Sequence, residues 1–154
     1  MTETAMALRG AIVADLPLIA RFERRYMDDV EPESVQGWLN AIDRNLAMWI
    51  DNLNRTVVAQ VDDVAVGYAM WTPSGARAVL VSINVDPTRR RTGVGKGLLA
   101  RTLGDARAAG ATDMDLGVRP HNPARHLYQQ AGFHQVADGS DGYERWTLSL
   151  AGGE

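Results

Sequence analysis

Between Ala78 and Ala109 an apolar strand-like run, an arginine-rich turn and a helix-like run follow one another without a break, and glycine occupies every second position from Gly93 to Gly97. Glycines so placed let the backbone turn tightly and present successive N–H groups at a helix start, where unpaired donors and the helix dipole favour an anion. With Arg89, Arg90 and Arg91 just ahead of them, the stretch reads as a phosphate cradle. The plainer alternative is an ordinary strand-to-helix turn with solvated arginines. A Walker A loop is excluded because Gly95-Lys96 is followed by Gly97 rather than a hydroxyl residue, and Arg90 stands where its first glycine belongs. A dinucleotide fingerprint fails too, since no register of Gly93, Gly95 and Gly97 supplies Gly-x-Gly-x-x-Gly.

The chain has 154 residues, which fits one domain over 1–154 with a proper core. Its formal net charge of -3 argues against a generic nucleic-acid binder, which needs a broadly basic surface. The absence of cysteine removes disulfides, thiol nucleophiles and thiolate metal sites together. Neither a signal peptide nor a membrane span is legible, so a cytoplasmic protein without a membrane partner is expected.

Along the chain, Met1 to Ala5 reads as a loose end and Met6 to Val13 as a first strand. Asp15 is a candidate cap, with Pro17 in the first turn of a helix reaching about Met27 on the apolar positions Leu18, Ile19, Phe22 and Tyr26. A second helix is expected from near Pro32, with Val35, Trp38, Leu39, Ile42 and Leu46 on one face. Strands follow at 56–61, 64–71 and 78–85, the first two joined at Asp62-Asp63 as a hairpin. After the long helix, Gly110 is a stop, 112–118 is a strand, 124–130 a short helix ended by Gly132, and 133–137 pairs with 143–150. That order makes a mixed sheet carrying helices on its faces.

Two motifs on this order resemble the GNAT superfamily of acetyl-CoA-dependent N-acetyltransferases. The family's loop signature stands as Val85-x-Pro87-x-x-Arg90-x-x-Gly93-x-Gly95, and its second motif runs from Asn122 through Leu127-Tyr128 to Gly132-Phe133. The resemblance implies a mixed α/β (α+β) fold, with a central, mostly antiparallel sheet flanked by helices and splayed between the fourth and fifth strands. It implies acetyl-CoA as cosubstrate, held by Arg90, Arg91, Thr92, Gly93, Val94, Gly95 and Lys96 at the pyrophosphate and by backbone around Ile83 and Val85 at the pantetheine arm. Tyr128 becomes the general acid for the departing thiolate, also against the cofactor, and Asn122 caps the helix that presents it or meets the cofactor arm. No metal is implied: His121 and His126 have no third ligand at a fitting spacing.

The chemistry implied is attack of a neutral amine on a thioester. At pH 7 a lysine ε-amine costs about 4.6 kcal/mol to deprotonate and an α-amine about 1, so base assistance matters far more for the first. Many family members carry a glutamate on the strand entering the loop; here that strand reads Val79-Leu80-Val81-Ser82-Ile83-Asn84, with no carboxylate. Ser82 and Asn84 are then expected to hold a water, with Glu144 or His134 as the titrating group. In the family, the first two helices, their joining bend and the last hairpin choose the acceptor. Here these contribute Tyr26, Asp28, Asp29, Glu31, Trp38, Asp138, Asp141 and Tyr143, which suit a cationic small-molecule amine or a peptide N-terminus. A non-catalytic acyl-CoA-binding domain, an acyl group longer than acetyl, and a homodimer all stay open at this level. Four tryptophans are as easily core as interface.

Overall fold

The structure is a computed structural model that describes residues 6–139 and 141–150. The expected loose end at Met1 to Ala5, and Ser140 of the last turn, lie outside the described residues. In chain order the elements are β1 (Met6–Gly10), α1 (Leu16–Val30), α2 (Val35–Asn40), α3 (Ile42–Asp51), β2 (Thr56–Val61), β3 (Val64–Ser74), β4 (Arg77–Val85), α4 (Val94–Ala108), β5 (Asp113–Val118), α5 (Ala124–Ala131), β6 (His134–Asp138) and β7 (Glu144–Ser149). The strands form one sheet in the order β1-β2-β3-β4-β5-β7-β6. Among the described residues only β4 and β5 run parallel. A parallel pair needs a long crossover, and the glycine loop with α4 supplies it. Among the described residues no helix is long and apolar enough to cross a membrane.

The sheet buries both faces. On one, Val57, Ala59 and Val61 of β2 and Val66 and Ala69 of β3 meet Val94 and Leu98 of α4. On the other, Val58, Tyr68 and Met70 meet Ile19 and Phe22 of α1 and Trp49 of α3. Strict alternation along β2 explains this split. In β4 it is interrupted: Met70 pairs with Ser82 but Trp71 with Leu80, so Val81 is an extra residue. Such a bulge sets two successive side chains toward one side of the sheet. Val81 packs with the α1 cluster, and Ser82 reaches a side chain of α1 as well.

Several expected boundaries move. β1 ends at Gly10 rather than Val13, because Asp15 pulls the chain round: its carboxylate accepts from the Ile12 amide at 2.8 Å and pairs with Arg9 at 2.8 Å. Asp15 therefore folds the approach to α1 and makes no side-chain cap of that helix. The expected single helix after Pro32 is two, broken at Ala41 (φ -103°, ψ 15°). Trp38 and Trp49 pack with ring centroids 6.4 Å apart. Eleven residues of straight helix would separate them by about 16 Å, so the break is what lets them meet. It also leaves Leu39, Ile42 and Leu46 exposed. β3 continues past its expected end at residue 71 to Ser74, and the chain reverses at Gly75 (φ 61°). Asp62 and Asp63 both have positive φ, the backbone of a tight hairpin turn, and Gly110 and Gly132 end α4 and α5 at φ 95° and 102°.

Candidate active site

β4 and β5 pair only at Ala78–Met114 and Val79–Asp115 and then diverge. Into the gap opens a cavity of about 1230 Å³. Ligand pockets commonly enclose about 300–1,000 Å³, so this one has room for more than one small ligand. Its walls come from β4 between Leu80 and Val85, the end of β5, the glycine loop, α5, and α1 with α2 above. Past Val79 the β5-facing backbone groups of β4 have no strand partner. Ile83 and Val85 lie there, paired to β3 at Ala69 and Gly67 on their other edge.

The loop is built for exposed amides. Asp86 accepts from the Thr88 amide at 2.9 Å and starts the turn. Arg91 (φ 65°) and Gly93 (φ 91°) then take left-handed backbone, which swings the chain into α4. The first bond closing α4 runs from the Gly97 amide to the Gly93 carbonyl at 3.0 Å, so the amides just before it have no helical acceptor. Arg90, Arg91, Gly93, Gly95 and Lys96 line the cavity. Thr92 and Val94 reach it with no side chain: the Thr92 hydroxyl donates to the Arg89 carbonyl, and Val94 is buried in the core. These two have only backbone amides to offer.

Tyr128 sits in the cavity wall, 7% exposed, its ring packed at 5.8 Å on Phe133. Burial pushes its phenol pKa up. Among the described residues its hydroxyl makes no hydrogen bond, yet no buried side-chain polar atom there lacks a partner. The hydroxyl therefore opens onto the cavity. Asn122 accepts from the Ala124 amide at 2.9 Å, fixing the start of α5, and donates to the Tyr26 hydroxyl at 3.3 Å.

At the α1–α2 bend, Glu31 is 4% exposed and lines the cavity. Its carboxylate accepts from Tyr26 at 2.6 Å, Tyr143 at 2.5 Å and Arg119 at 3.3 Å. Burial pushes its pKa up, but hydrogen bonds from Tyr143 and Tyr26 and the Arg119 guanidinium outweigh that, and the net shift is downward. Tyr143 is pushed up to about 12 by burial and by the Glu31 charge. The cluster ties the bend to the ends of β5 and β7, and His121 adds a bond from Nε2 to the Val30 carbonyl at 2.9 Å.

Sequence reasoning missed Glu23. Every donor to it lands on one oxygen: Ser82 at 2.5 Å, Asn84 at 3.1 Å and Tyr68 all reach Oε2. Among the described residues Oε1 accepts no hydrogen bond and is not fully buried, and Glu23 lines the cavity. Among the described residues no cation pairs with Glu23. Burial pushes its pKa up, against the three hydrogen bonds that lower it. A signal was present: Glu23 lies four residues after Ile19 and four before Met27, on the face that α1 buries.

The expected site residues thus divide. Ser82, Asn84, Ile83, Val85, Tyr26, Trp38, Tyr143, Asn122 and Tyr128 line one cavity. Glu144 is spent elsewhere, paired with Arg125 at 3.0 Å and accepting from the Trp146 indole at 3.0 Å. His134 is exposed on β6. Asp28 and Asp29 are exposed and outside the lining, Asp28 pairing with Arg24 one turn back. Asp138 and Asp141 bond to Gln135 and Arg145 in the last hairpin.

The sequence pattern described as the Acetyltransferase (GNAT) family matches residues 19–133. The mycothiol acetyltransferase of Clavibacter michiganensis subsp. michiganensis (strain NCPPB 382) is 32% identical over 96 residues, which is 62% of this chain and 31% of that protein. The ribosomal protein bS18-alanine N-acetyltransferase of Haemophilus influenzae is 34% identical over 71 residues, 46% of this chain and 49% of that protein. The chain thus spans about a third to a half of the length of these curated relatives. The PaiA N-acetyltransferase from Thermoplasma acidophilum, solved in complex with coenzyme A, superposes with a TM-score of 0.80 at 16% identity, over 94% of this chain and 99% of that one. At that identity the likeness is one of fold. The family pattern extends from the helix that carries Glu23, through the splayed strands and the glycine loop, to the helix that carries Tyr128, and by it this chain belongs to the acetyltransferase (GNAT) family.

Proposed function

We propose that this chain is an N-acetyltransferase that moves acetyl from acetyl-CoA to a primary amine by direct attack, with both ligands in the one cavity. The observation that carries the reading is that the amide-lined loop, the unpaired edge of β4 and the Tyr128 hydroxyl open into the same space. Amides from Arg91 through Lys96 hold the pyrophosphate, with the Arg90, Arg91 and Lys96 side chains adding charge. Backbone groups at Ile83 and Val85 pair with the amides of the pantetheine arm as an added strand would. The arm brings the thioester to Tyr128. The Tyr128 hydroxyl, kept protonated by burial, supplies a proton to the departing thiolate.

The acceptor enters past Glu31, Tyr26, Tyr143 and Trp38. A retained carboxylate ringed by aromatic rings draws a cationic amine toward the thioester. Two acceptor classes fit this chemistry, a peptide N-terminus and a small-molecule amine, and the relatives named above are a mycothiol acetyltransferase and a ribosomal protein alanine N-acetyltransferase. A non-catalytic acyl-CoA-binding domain would use the loop but have no use for an open Tyr128 hydroxyl. The test is thiol release from acetyl-CoA against polyamines, aminoglycosides, amino acids and short peptides. Turnover with one acceptor class supports the reading, and coenzyme A binding without turnover on any class refutes it.

A further inference from the structure

We propose that Glu23 of α1 is the general base of the reaction, taking the acceptor's proton through Oε1. The inference rests on the acetyltransferase reading above. The geometry assigns the two oxygens different work. Oε2 is anchored by Tyr68 of β3 and by Ser82 and Asn84 of β4, so the carboxyl group cannot swing away. Oε1, which accepts no hydrogen bond among the described residues and is not fully buried, is the oxygen left for the cavity that Glu23 lines, beside the β4 edge along which the thioester arm is expected to lie.

The two other carboxylates of the cavity are in no position to do this: Glu33 is exposed just before α2 and has no contact with Ser82 or Asn84. Glu31 is held by two tyrosine hydroxyls and Arg119. Its pKa is lowered while that of Glu23 is raised. Carboxylates whose environments push their pKa values apart divide charge recognition from proton transfer. The titratable groups that bear on Glu23 are Tyr68 from β3 and Glu31 from the bend, with Ser82 and Asn84 as the polar contacts from β4.

The protons balance as follows. Ionised Glu23 takes one proton from the acceptor ammonium at Oε1, leaving a neutral amine. The nitrogen lone pair forms the C–N bond to the thioester carbonyl carbon and the C–S bond breaks. The leaving sulfur takes the Tyr128 proton, and the second nitrogen proton restores Tyr128. The proton on Glu23 returns to solvent through the open cavity, so the turnover yields amide, thiol and one released proton.

The test is Glu23→Gln in the full chain, which keeps an oxygen for the Ser82, Tyr68 and Asn84 donors. We expect kcat to fall by about 10²- to 10⁴-fold with the Kd for coenzyme A unchanged. The rising limb of kcat/KM that belongs to the enzyme should vanish, leaving only that of the amine. A ligand-free readout is independent of turnover. A carboxyl whose folded pKa is raised contributes stability that is complete below its ordinary value of 4.5 and lost as pH rises through the folded value. The Tm difference between Glu23→Gln and wild type should therefore grow with rising pH. Wild-type kcat in the variant, or an unmoved pH limb with weakened coenzyme A binding, overturns the assignment while leaving the acetyltransferase reading intact. A wild-type protein that turns over no amine overturns that reading and the assignment with it. Should Glu23→Gln fail to fold, Ser82→Ala retains the carboxyl group, and an enzyme limb that stays at its wild-type pH in that variant also overturns the assignment.

Discussion

Ser82, in the middle of β4, donates to Glu23 of α1 at 2.5 Å across 59 residues of sequence. The bond exists because the bulge at Val81 turns Ser82 to the α1 side of the sheet. A hydrogen bond to a charged group contributes about 1.5–3 kcal/mol, and Ser82 lowers the Glu23 pKa by donating to its ionised form. Ser82→Ala should then move the enzyme's rising limb of kcat/KM up by about one to two pH units. Because the base itself survives, the plateau rate should be nearly retained. A pH–rate series on the variant checks this, and a lowered plateau with no shift of the limb would count against it.

Glu31 gathers Tyr26, Tyr143 and Arg119 at the acceptor end of the cavity. Replacing it with Gln removes the charge and leaves Arg119 facing the entering ammonium. The acceptor KM should rise by about tenfold or more, equivalent to about 1.4 kcal/mol, with the KM for acetyl-CoA unchanged. Asp28→Asn with Asp29→Asn should leave both constants alone, since these side chains point to solvent outside the cavity. Steady-state kinetics on the two variants separate a local contact from a diffuse acidic field.

Gly93 stands at φ 91° with nothing within 4 Å of an added Cβ. Gly93→Ala therefore meets no clash, and its whole effect is backbone strain of about 1–2 kcal/mol. The strain falls where the loop swings its amides toward the cavity. Calorimetry should find a rise of about tenfold or more in the Kd for coenzyme A, with a modest loss in Tm.

The glycine loop, the stops at Gly110 and Gly132 and the Asp62-Asp63 hairpin were legible because each depends on local backbone chemistry. The Tyr128 helix was legible for the same reason, with Asn122 fixing its start two residues before Ala124. What escaped were features made by distant contacts. The break at Ala41 brings Trp38 to Trp49, a contact that the apolar spacing along a single helix does not show. Nothing along its own strand shows that α5 brings Arg125 across to Glu144. β4 carries no carboxylate of its own, but its Ser82 and Asn84 donate to Glu23 of α1, a pairing that no local spacing shows. Only the position of Glu23 on the buried stripe of α1, between Ile19 and Met27, marked it beforehand.

Acetyl transfer with Tyr128 as the acid can be followed in a single assay. Thiol release from acetyl-CoA should be followed across the amine and peptide panel for the wild-type chain and for Tyr128→Phe, with coenzyme A affinity measured for both. We expect turnover with one acceptor class, a loss of about 10²-fold or more in kcat for Tyr128→Phe, and equal coenzyme A affinity in the two proteins. Undiminished turnover in Tyr128→Phe, or tight coenzyme A binding with no thiol released by the wild-type chain on any acceptor, would contradict it.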